Sequence, residues 1–269
     1  SDVYKRQVGN PAPDARDNGY RVTEDVAAGA LGNALTDTDA LSGQDADPDL
    51  DPLTVSAVNG DPLLLGQPVA GSNGGQFTVL ADGSVRFDPT SAFQSLAAGQ
   101  EVTTTLSYTV SDGEGGSDTA TVTVTVAGVN DAPVLTAVVP LGDQTGTDGG
   151  LTTAIDITSA FADVDQGDTL SYTATGLPPG LSLGANGQIT GTLDRAASQG
   201  GPGGDGVYTV TVTATDSNGA STSTAFTYTV RNLPVQAQDD FETLTEDAPL
   251  SGQSVLGDNG NGADTDTGP

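Results

Sequence analysis

Runs in which apolar residues alternate with threonine or serine recur along the chain. The clearest are 106–110, 120–126, 207–215 and 222–230. A period of two is typical of β-strands that bury one face. No segment keeps a sustained helical period, although the spacing of Phe93 and Leu96 indicates a single helical turn. The pattern therefore predicts an all-β protein whose strands pack as sandwiches.

Two turn sequences predict tight hairpins between these strands. Asp82-Gly83 and Asn186-Gly187 each separate two short apolar runs, and Gly supplies the positive φ that a tight hairpin needs. Further strands are expected over 20–23, 53–58, 151–157 and 169–174.

A turn, a final strand and an Asn/Pro linker occur twice in this order. The first copy ends in Asn130-Asp131-Ala132-Pro133 and the second in Asn232-Leu233-Pro234. Recurrence at domain-sized spacing is typical of tandem modules. The sequence therefore predicts one module over 10–130 and a second over 131–232, joined by short Asn/Pro linkers.

Both ends of the chain are expected to lie outside these two modules. Residues 1–9 are interpreted as a leader with an artefact, because 2–7 resemble a translated sequencing adapter. At the other end, Leu244-Thr245-Glu246-Asp247 repeats the pattern of Val22-Thr23-Glu24-Asp25. This repetition predicts that 233–269 are the truncated start of a third module of the first type.

Composition narrows the possible functions. The chain has 36 acidic and 7 basic residues, so nucleic acid and anionic membrane surfaces are poor partners, and no apolar run is long enough for membrane insertion by this segment. The absence of His, Cys and Met removes the usual ligands of zinc, copper, haem and iron–sulfur clusters and excludes nucleophiles activated by His. With no Trp and 4% aromatics, a sugar-stacking hydrolase cleft is also disfavoured. We therefore expect no enzymatic activity.

Three loops concentrate aspartates. They contain Asp45, Asp47, Asp49 and Asp51, then Asp163, Asp165 and Asp168, and finally Asp264 and Asp266. Alternate residues of an extended loop point the same way, so an Asp-x-Asp pair directs two carboxylates at one point. Calcium takes about 6–8 oxygen ligands and would relieve the repulsion between them. The alternative, left open by the pattern, is that these aspartates are solvated turn residues.

Several motifs resemble those of cadherin-like repeats. Asn130-Asp131-Ala132-Pro133 resembles their linker, Asp163-Val164-Asp165 their Asp-x-Asp motif, and Ala214-Thr215-Asp216 their Ala-x-Asp motif. Residues 94–133 are similar to VCBS-type repeats of large bacterial surface adhesins, and 176–191 to the dystroglycan-type, Ig-like cadherin variant. The resemblance implies tandem Ig/cadherin-like β-sandwich modules joined end to end.

The resemblance also implies calcium ligands near the boundary at residue 130. These would be Glu24, Asn130, Asp131, Asp163, Asp165 and Asp216, and the acidic loops add Asp168, Asp45 and Asp47 as candidate metal ligands. The chain departs from the family pattern at Gly128 and Ala132 in the first linker, and Leu233 follows Asn232 where an acid is expected. We therefore expect the second junction to bind calcium less well than the first, or not at all.

The resulting hypothesis is a calcium-rigidified spacer or adhesion repeat from a large secreted or surface-anchored bacterial protein, acting at the cell surface in adhesion and biofilm formation. Its partners would be calcium, neighbouring repeats of the same chain, and a host or bacterial surface glycan or protein. One alternative is a carbohydrate- or other ligand-binding module carried on an extracellular stalk. Another is an ancillary module of a secreted hydrolase.

Overall fold

The computed structural model describes residues 9–38, 43–136 and 141–233 of the 269-residue chain. Two compact units are present. The first ends at Asp131 and also includes Val164–Gly167, and the second comprises Ala132–Asp163 and continues from Asp168. Residues 1–8, residues 234–269 of the predicted third module, and the candidate pair Asp264 and Asp266 lie outside the described residues.

Eight strands build the first unit. They are β1 (Asn18–Thr23), β2 (Gly29–Asn33), β3 (Thr54–Val58), β4 (Val69–Ala70), β5 (Gln76–Val79), β6 (Ser84–Asp88), β7 (Glu101–Ser111) and β8 (Ser117–Ala127). One sheet has the order β1-β8-β7-β3 and the other β2-β6-β5-β4. Strand β1 runs parallel to β8, whereas the other neighbouring strands are antiparallel. The opening and closing strands of the unit therefore lie side by side.

The alternation of Val and Thr in β8 decides which of its faces enters the core. Val122, Val124 and Val126 are fully buried, while Thr123 and Thr125 between them are only half-buried. The predicted hairpin at Asp82-Gly83 is confirmed, since β5 and β6 pair antiparallel around it and Gly83 has a φ of 84°. The Val and Thr alternation and the Gly-containing turn of this unit are thus both consistent with the observed strands and hairpin.

Nine strands build the second unit. They are β9 (Val134–Leu135), β10 (Gln144–Thr147), β11 (Ile155–Asp156), β12 (Phe161–Ala162), β13 (Ser171–Thr175), β14 (Leu181–Leu183), β15 (Gln188–Gly191), β16 (Val207–Thr215) and β17 (Ser221–Arg231). The sheets have the orders β10-β17-β16-β13, β11-β15-β14 and β12-β9. The first strand of the four-stranded sheet, β10, pairs parallel with the closing strand β17, and we call β10 the opening strand of this unit because it corresponds to β1 of the first unit. The hairpin predicted at Asn186-Gly187 joins β14 to β15.

One local prediction differs from the structure. The strand expected over 151–157 contracts to β11, because Leu151 makes only an isolated bridge to Thr192 and a 3₁₀ turn begins at Thr158, whose N–H donates to Asp156 Oδ1. The helical turn expected at Phe93 is a single hydrogen-bonded turn, in which Leu96 N–H donates to the Phe93 carbonyl at 3.0 Å. Within the described ranges, no helix has the length and apolarity needed to cross a membrane. The all-β prediction is confirmed.

Candidate metal site

Glu24 follows the last residue of β1 and is held there by the parallel pairing. Its backbone N–H donates to the Ala127 carbonyl at 3.0 Å, which continues the ladder between β1 and β8 by one residue. The side chain is only 1% exposed. Oε1 accepts the Val129 N–H at 2.7 Å, whereas Oε2 is buried and has no hydrogen-bond partner among the described residues. One oxygen of this carboxylate is therefore left without a donor.

Burial makes the ionised form of Glu24 costly. Desolvation raises the pKa of its carboxyl above the ordinary value, and the N–H groups of Val129 and Leu96 offset only part of that effect. The negative charge of Asp131 raises this pKa further. A buried carboxylate with an unsatisfied oxygen is stabilised by a donor, a proton or a cation.

Two further carboxylates converge on Glu24 within the first unit. Oxygens of Glu24, Asp131 and Asp165 all lie within 4.8 Å of one another. Two oxygens on opposite sides of one calcium ion lie up to about 5 Å apart, so this spacing fits a shared ion. Asp165 is fixed in place because its Oδ2 accepts the Asp131 N–H at 2.9 Å, and Gln166 N–H donates to the Ser95 carbonyl at 3.0 Å.

The other predicted residues of the acidic loop divide between the two units. Asp165 belongs to the first unit, whereas Asp163 and Asp168 belong to the second. Asp168 additionally accepts a hydrogen bond from the Ser217 hydroxyl at 2.8 Å. In the linker, the Asn130 side-chain amide donates to the Asp131 carbonyl at 3.0 Å. The assignment of Asp163 and Asp168 as calcium ligands stays a prediction.

Asp216 holds a turn. Its Oδ1 accepts the backbone N–H groups of Asn218, Gly219 and Ala220 at 2.6–2.9 Å, and its side chain is buried. Among the described residues, Asp216 belongs to none of the groups in which three carboxylates converge. Its assignment as a calcium ligand remains a prediction, and the contacts seen give it a structural role in the turn after β16.

A second acidic group lies in the loop before β3. It consists of Asp47, Asp49 and Asp51, with oxygens within 4.8 Å of one another. Asp47 Oδ1 accepts the N–H groups of Asp49 and Asp51, while its Oδ2 is buried with no hydrogen-bond partner in the described part of the chain. A hydrogen bond to Asp47 raises the pKa of Asp49 to about 6. Repulsion from the carboxylates of Asp47 and Asp51 makes ionisation of Asp49 more costly still.

Asp45 lies apart from that group and faces the core. Its Oδ1 accepts the Arg16 N–H at 2.6 Å, and its Oδ2 lies 3.2 Å from the Tyr108 hydroxyl. Burial raises the pKa of Asp45 to about 6. The sequence places all four aspartates from 45 to 51 in one acidic loop but names only Asp45 and Asp47 as candidate ligands, whereas the converging group contains Asp47, Asp49 and Asp51. The alternation of Asp from 45 to 51 was the available signal, and it fits either pairing equally.

The linker departure at Gly128 has a steric cause. A Cβ built at this position would collide with the carbonyl oxygens of Leu96 and Ala97. Any residue other than Gly would therefore displace the turn that precedes β7, and an aspartate cannot be accommodated there without such a shift. The first unit's own packing accounts for the absence of that linker acid.

The converging groups contain only carboxylate oxygens, the ligand type that hard divalent cations such as calcium prefer. Their donor set offers nothing to soft metals, and the whole chain lacks His, Cys and Met. The geometry therefore suits binding of a hard cation.

Comparison with known proteins supports a modular interpretation. Residues 10–128 match the family model described as "Bacterial cadherin-like domain", and 132–231 match "Putative Ig domain". Among solved structures, the chain is similar to human CDH23 EC21-23, with 18% identity, a TM-score of 0.52 and coverage of 91% of this chain and 77% of that one. Mouse Cadherin-23 EC22-24 gives 16% identity, a TM-score of 0.52 and coverage of 85% and 69%. At these identities the likeness concerns the fold. No curated protein matches the sequence.

Domains of these kinds share general properties. Cadherin-like and Ig-like domains are typically structural or adhesive modules without catalytic activity. Cadherin-like domains are extracellular and generally bind calcium. The all-β fold and both family matches agree, and the chain carries a bacterial cadherin-like domain followed in tandem by an Ig-like domain.

Proposed function

We propose that this chain is a calcium-rigidified spacer and adhesion repeat of a large secreted or surface-anchored bacterial protein. The observation that carries the proposal is the buried Glu24 Oε2, which has no hydrogen-bond partner among the described residues and lies beside two more carboxylates. Without a cation, repulsion between the ionised carboxylates of this cluster destabilises the fold. A divalent cation bound between them would make their electrostatic contribution to stability favourable.

Calcium would be held by Glu24, Asp131 and Asp165, with backbone carbonyls or water completing its coordination. Binding would neutralise the converging charges and tie the linker to the segment 164–167. A chain that is pliable at low calcium would then stiffen at the millimolar concentrations found outside cells. The group of Asp47, Asp49 and Asp51 would serve the same purpose at the start of the first domain.

Thermal melting of the full chain in chelator and in 10 mM calcium tests the proposal. Extracellular calcium sites have dissociation constants of about 10⁻⁴–10⁻³ M, so one site is expected to add roughly 1.4–2.7 kcal/mol to the free energy of unfolding. Magnesium at the same concentration serves as the matched control, because it dehydrates reluctantly and demands octahedral geometry. Identical melting temperatures in chelator and calcium would remove the basis of the proposal.

Rigidification is tested separately by small-angle scattering on the full chain. We expect a larger maximum dimension and a narrower distribution of sizes in calcium than in chelator. Thermal stabilisation without any change in scattering would leave calcium binding in place and overturn the spacer mechanism.

A further inference from the structure

Asp148 occupies in the second unit the backbone position that Glu24 occupies in the first. Each residue follows the opening strand of its unit and extends the parallel ladder to the closing strand. Asp148 N–H donates to the Arg231 carbonyl at 3.1 Å, as Glu24 N–H does to the Ala127 carbonyl at 3.0 Å. The two positions are therefore equivalent in the backbone of their units, and their side chains can be compared directly.

The side chains at these two positions differ in their need for a cation. Asp148 is 1% exposed, and both of its oxygens are bonded by Ser198. Oδ1 accepts the Ser198 N–H at 2.8 Å, and Oδ2 accepts the Ser198 hydroxyl at 2.5 Å. Because these donors satisfy the carboxylate, the second unit gains little from a cation here.

Two arginines lie close to Asp148 in the second unit. Arg231, the last residue of β17, lies beside Asp148, and Arg195 approaches Gly149 next to it. They are two of only seven basic residues in a chain of net charge −29. Within the described ranges, neither Arg195 nor Arg231 forms an ion pair. The guanidinium of Arg231 is thus available to an external anion.

A cavity of about 400 Å³ opens beside Arg231 in the second unit. Its volume lies within the range of about 300–1,000 Å³ that is typical of small-ligand sites. Residues of β10 supply Gln144, Thr145 and Thr147 to its wall, and Leu151, which is 83% exposed, also lines it. The lining therefore combines hydroxyl and amide groups with one guanidinium, and its apolar side chains are the exposed Leu151 and the buried Leu193.

We propose that this cavity binds a carboxylated saccharide, with its carboxylate on Arg231. A guanidinium binds a carboxylate through two parallel hydrogen bonds, and the Thr and Gln side chains can donate to and accept from sugar hydroxyls. The net charge of −29 repels polyanions, including strongly acidic peptides. A ligand with few carboxylates among many neutral hydroxyls satisfies Arg231 with the least repulsion. Leu151 provides an apolar contact for one face of a sugar ring.

Calorimetric titration of the full chain with digalacturonic acid tests this site. Chelator is present throughout, so that calcium cannot bridge ligand and protein. We expect saturable binding that weakens about tenfold or more when the methyl diester replaces the acid, because a charge-assisted pair is lost. Arg231→Gln should weaken binding of the acid to a similar extent. Thr145→Val, which keeps the β-branched shape of an edge-strand residue, should weaken it several-fold.

The matched control is Arg86→Gln, which removes the same charge from β6 of the first unit and should leave the affinity unchanged. No saturable binding of digalacturonic acid, or equal binding of its diester, would overturn the proposal. An equal loss with Arg86→Gln would show an effect of net charge and would also overturn it. A tetra-aspartate peptide that binds as tightly as the saccharide would assign the cavity to acidic peptides instead.

Discussion

Neutralising Glu24 should change stability in opposite directions with and without calcium. The substitution Glu24→Gln keeps Oε1 as the acceptor for the Val129 N–H, which lies 2.7 Å away in the wild-type chain. It replaces the partnerless Oε2 by an amide that can donate towards the neighbouring carboxylates. In chelator, the variant should therefore be more stable than the wild type by about 0.5–1.5 kcal/mol.

In calcium the order should reverse. Affinity for calcium depends on the number of charged ligands, so the loss of one carboxylate of three should remove most of the binding. The stabilisation of roughly 1.4–2.7 kcal/mol expected for the wild type at 10 mM calcium would then disappear. For a domain of this size, that difference corresponds to roughly 5–10 °C in melting temperature.

Differential scanning calorimetry in both buffers measures the two effects. Glu114→Gln is the matched control, since it removes the same charge from an exposed turn of the same domain and should leave both melting temperatures nearly unchanged. If Glu24→Gln lowers the melting temperature equally in chelator and in calcium, Glu24 is a structural residue and its buried Oε2 is not a calcium ligand.

Three further outcomes are expected. Asp165→Ala should abolish most of the calcium response while both domains stay folded, and an unchanged calcium titration would contradict its assignment as a ligand. Burial raises the pKa of Asp45 to about 6, so its protonated form favours the folded state. Part of the free energy of unfolding in chelator should therefore be lost as the pH rises from 4 to 7. Asp45→Asn should flatten that decline by about 1–3 kcal/mol in urea unfolding, and an unaltered pH profile would argue against burial as the cause. Gly180→Ala should destabilise the second domain by more than about 1 kcal/mol, because Gly180 has a φ of 90° and a Cβ there would clash with the Thr192 carbonyl. An unchanged urea midpoint would show that the turn can relax.

Strand positions could be predicted from the sequence because the information is local. The Val and Thr alternation in β8 and β17 fixes which side of each strand enters the core, whatever it packs against. The two Gly-containing hairpin turns also carry their own conformational requirement. Where a local signal was interrupted, as at Asp156, the predicted strand was too long.

The candidate sites depend on contacts between distant parts of the chain, so sequence alone could not distinguish their members. Asp45 and Asp49 belong to one alternating run, and only the buried Tyr108 hydroxyl separates their roles. Likewise, nothing near Asp148 in sequence reveals that Ser198 bonds both of its oxygens. The signal for Glu24 came from resemblance to a family, and its partnerless oxygen became visible only in the fold.

The parallel pairing of opening and closing strands has a mechanical consequence. When a domain is pulled by its two ends, β1 and β8 are drawn in opposite directions along their own axes, so their hydrogen bonds share the load and must break together. Strand β1 pairs with β8 over Asn18–Thr23, whereas β10 pairs with β17 only over Gln144–Thr147. Because forced unfolding is governed by the barrier to rupture, the shorter ladder should give way first. Under tension along the chain, the Ig-like domain would therefore extend first, and the cadherin-like domain would stay folded to a higher force.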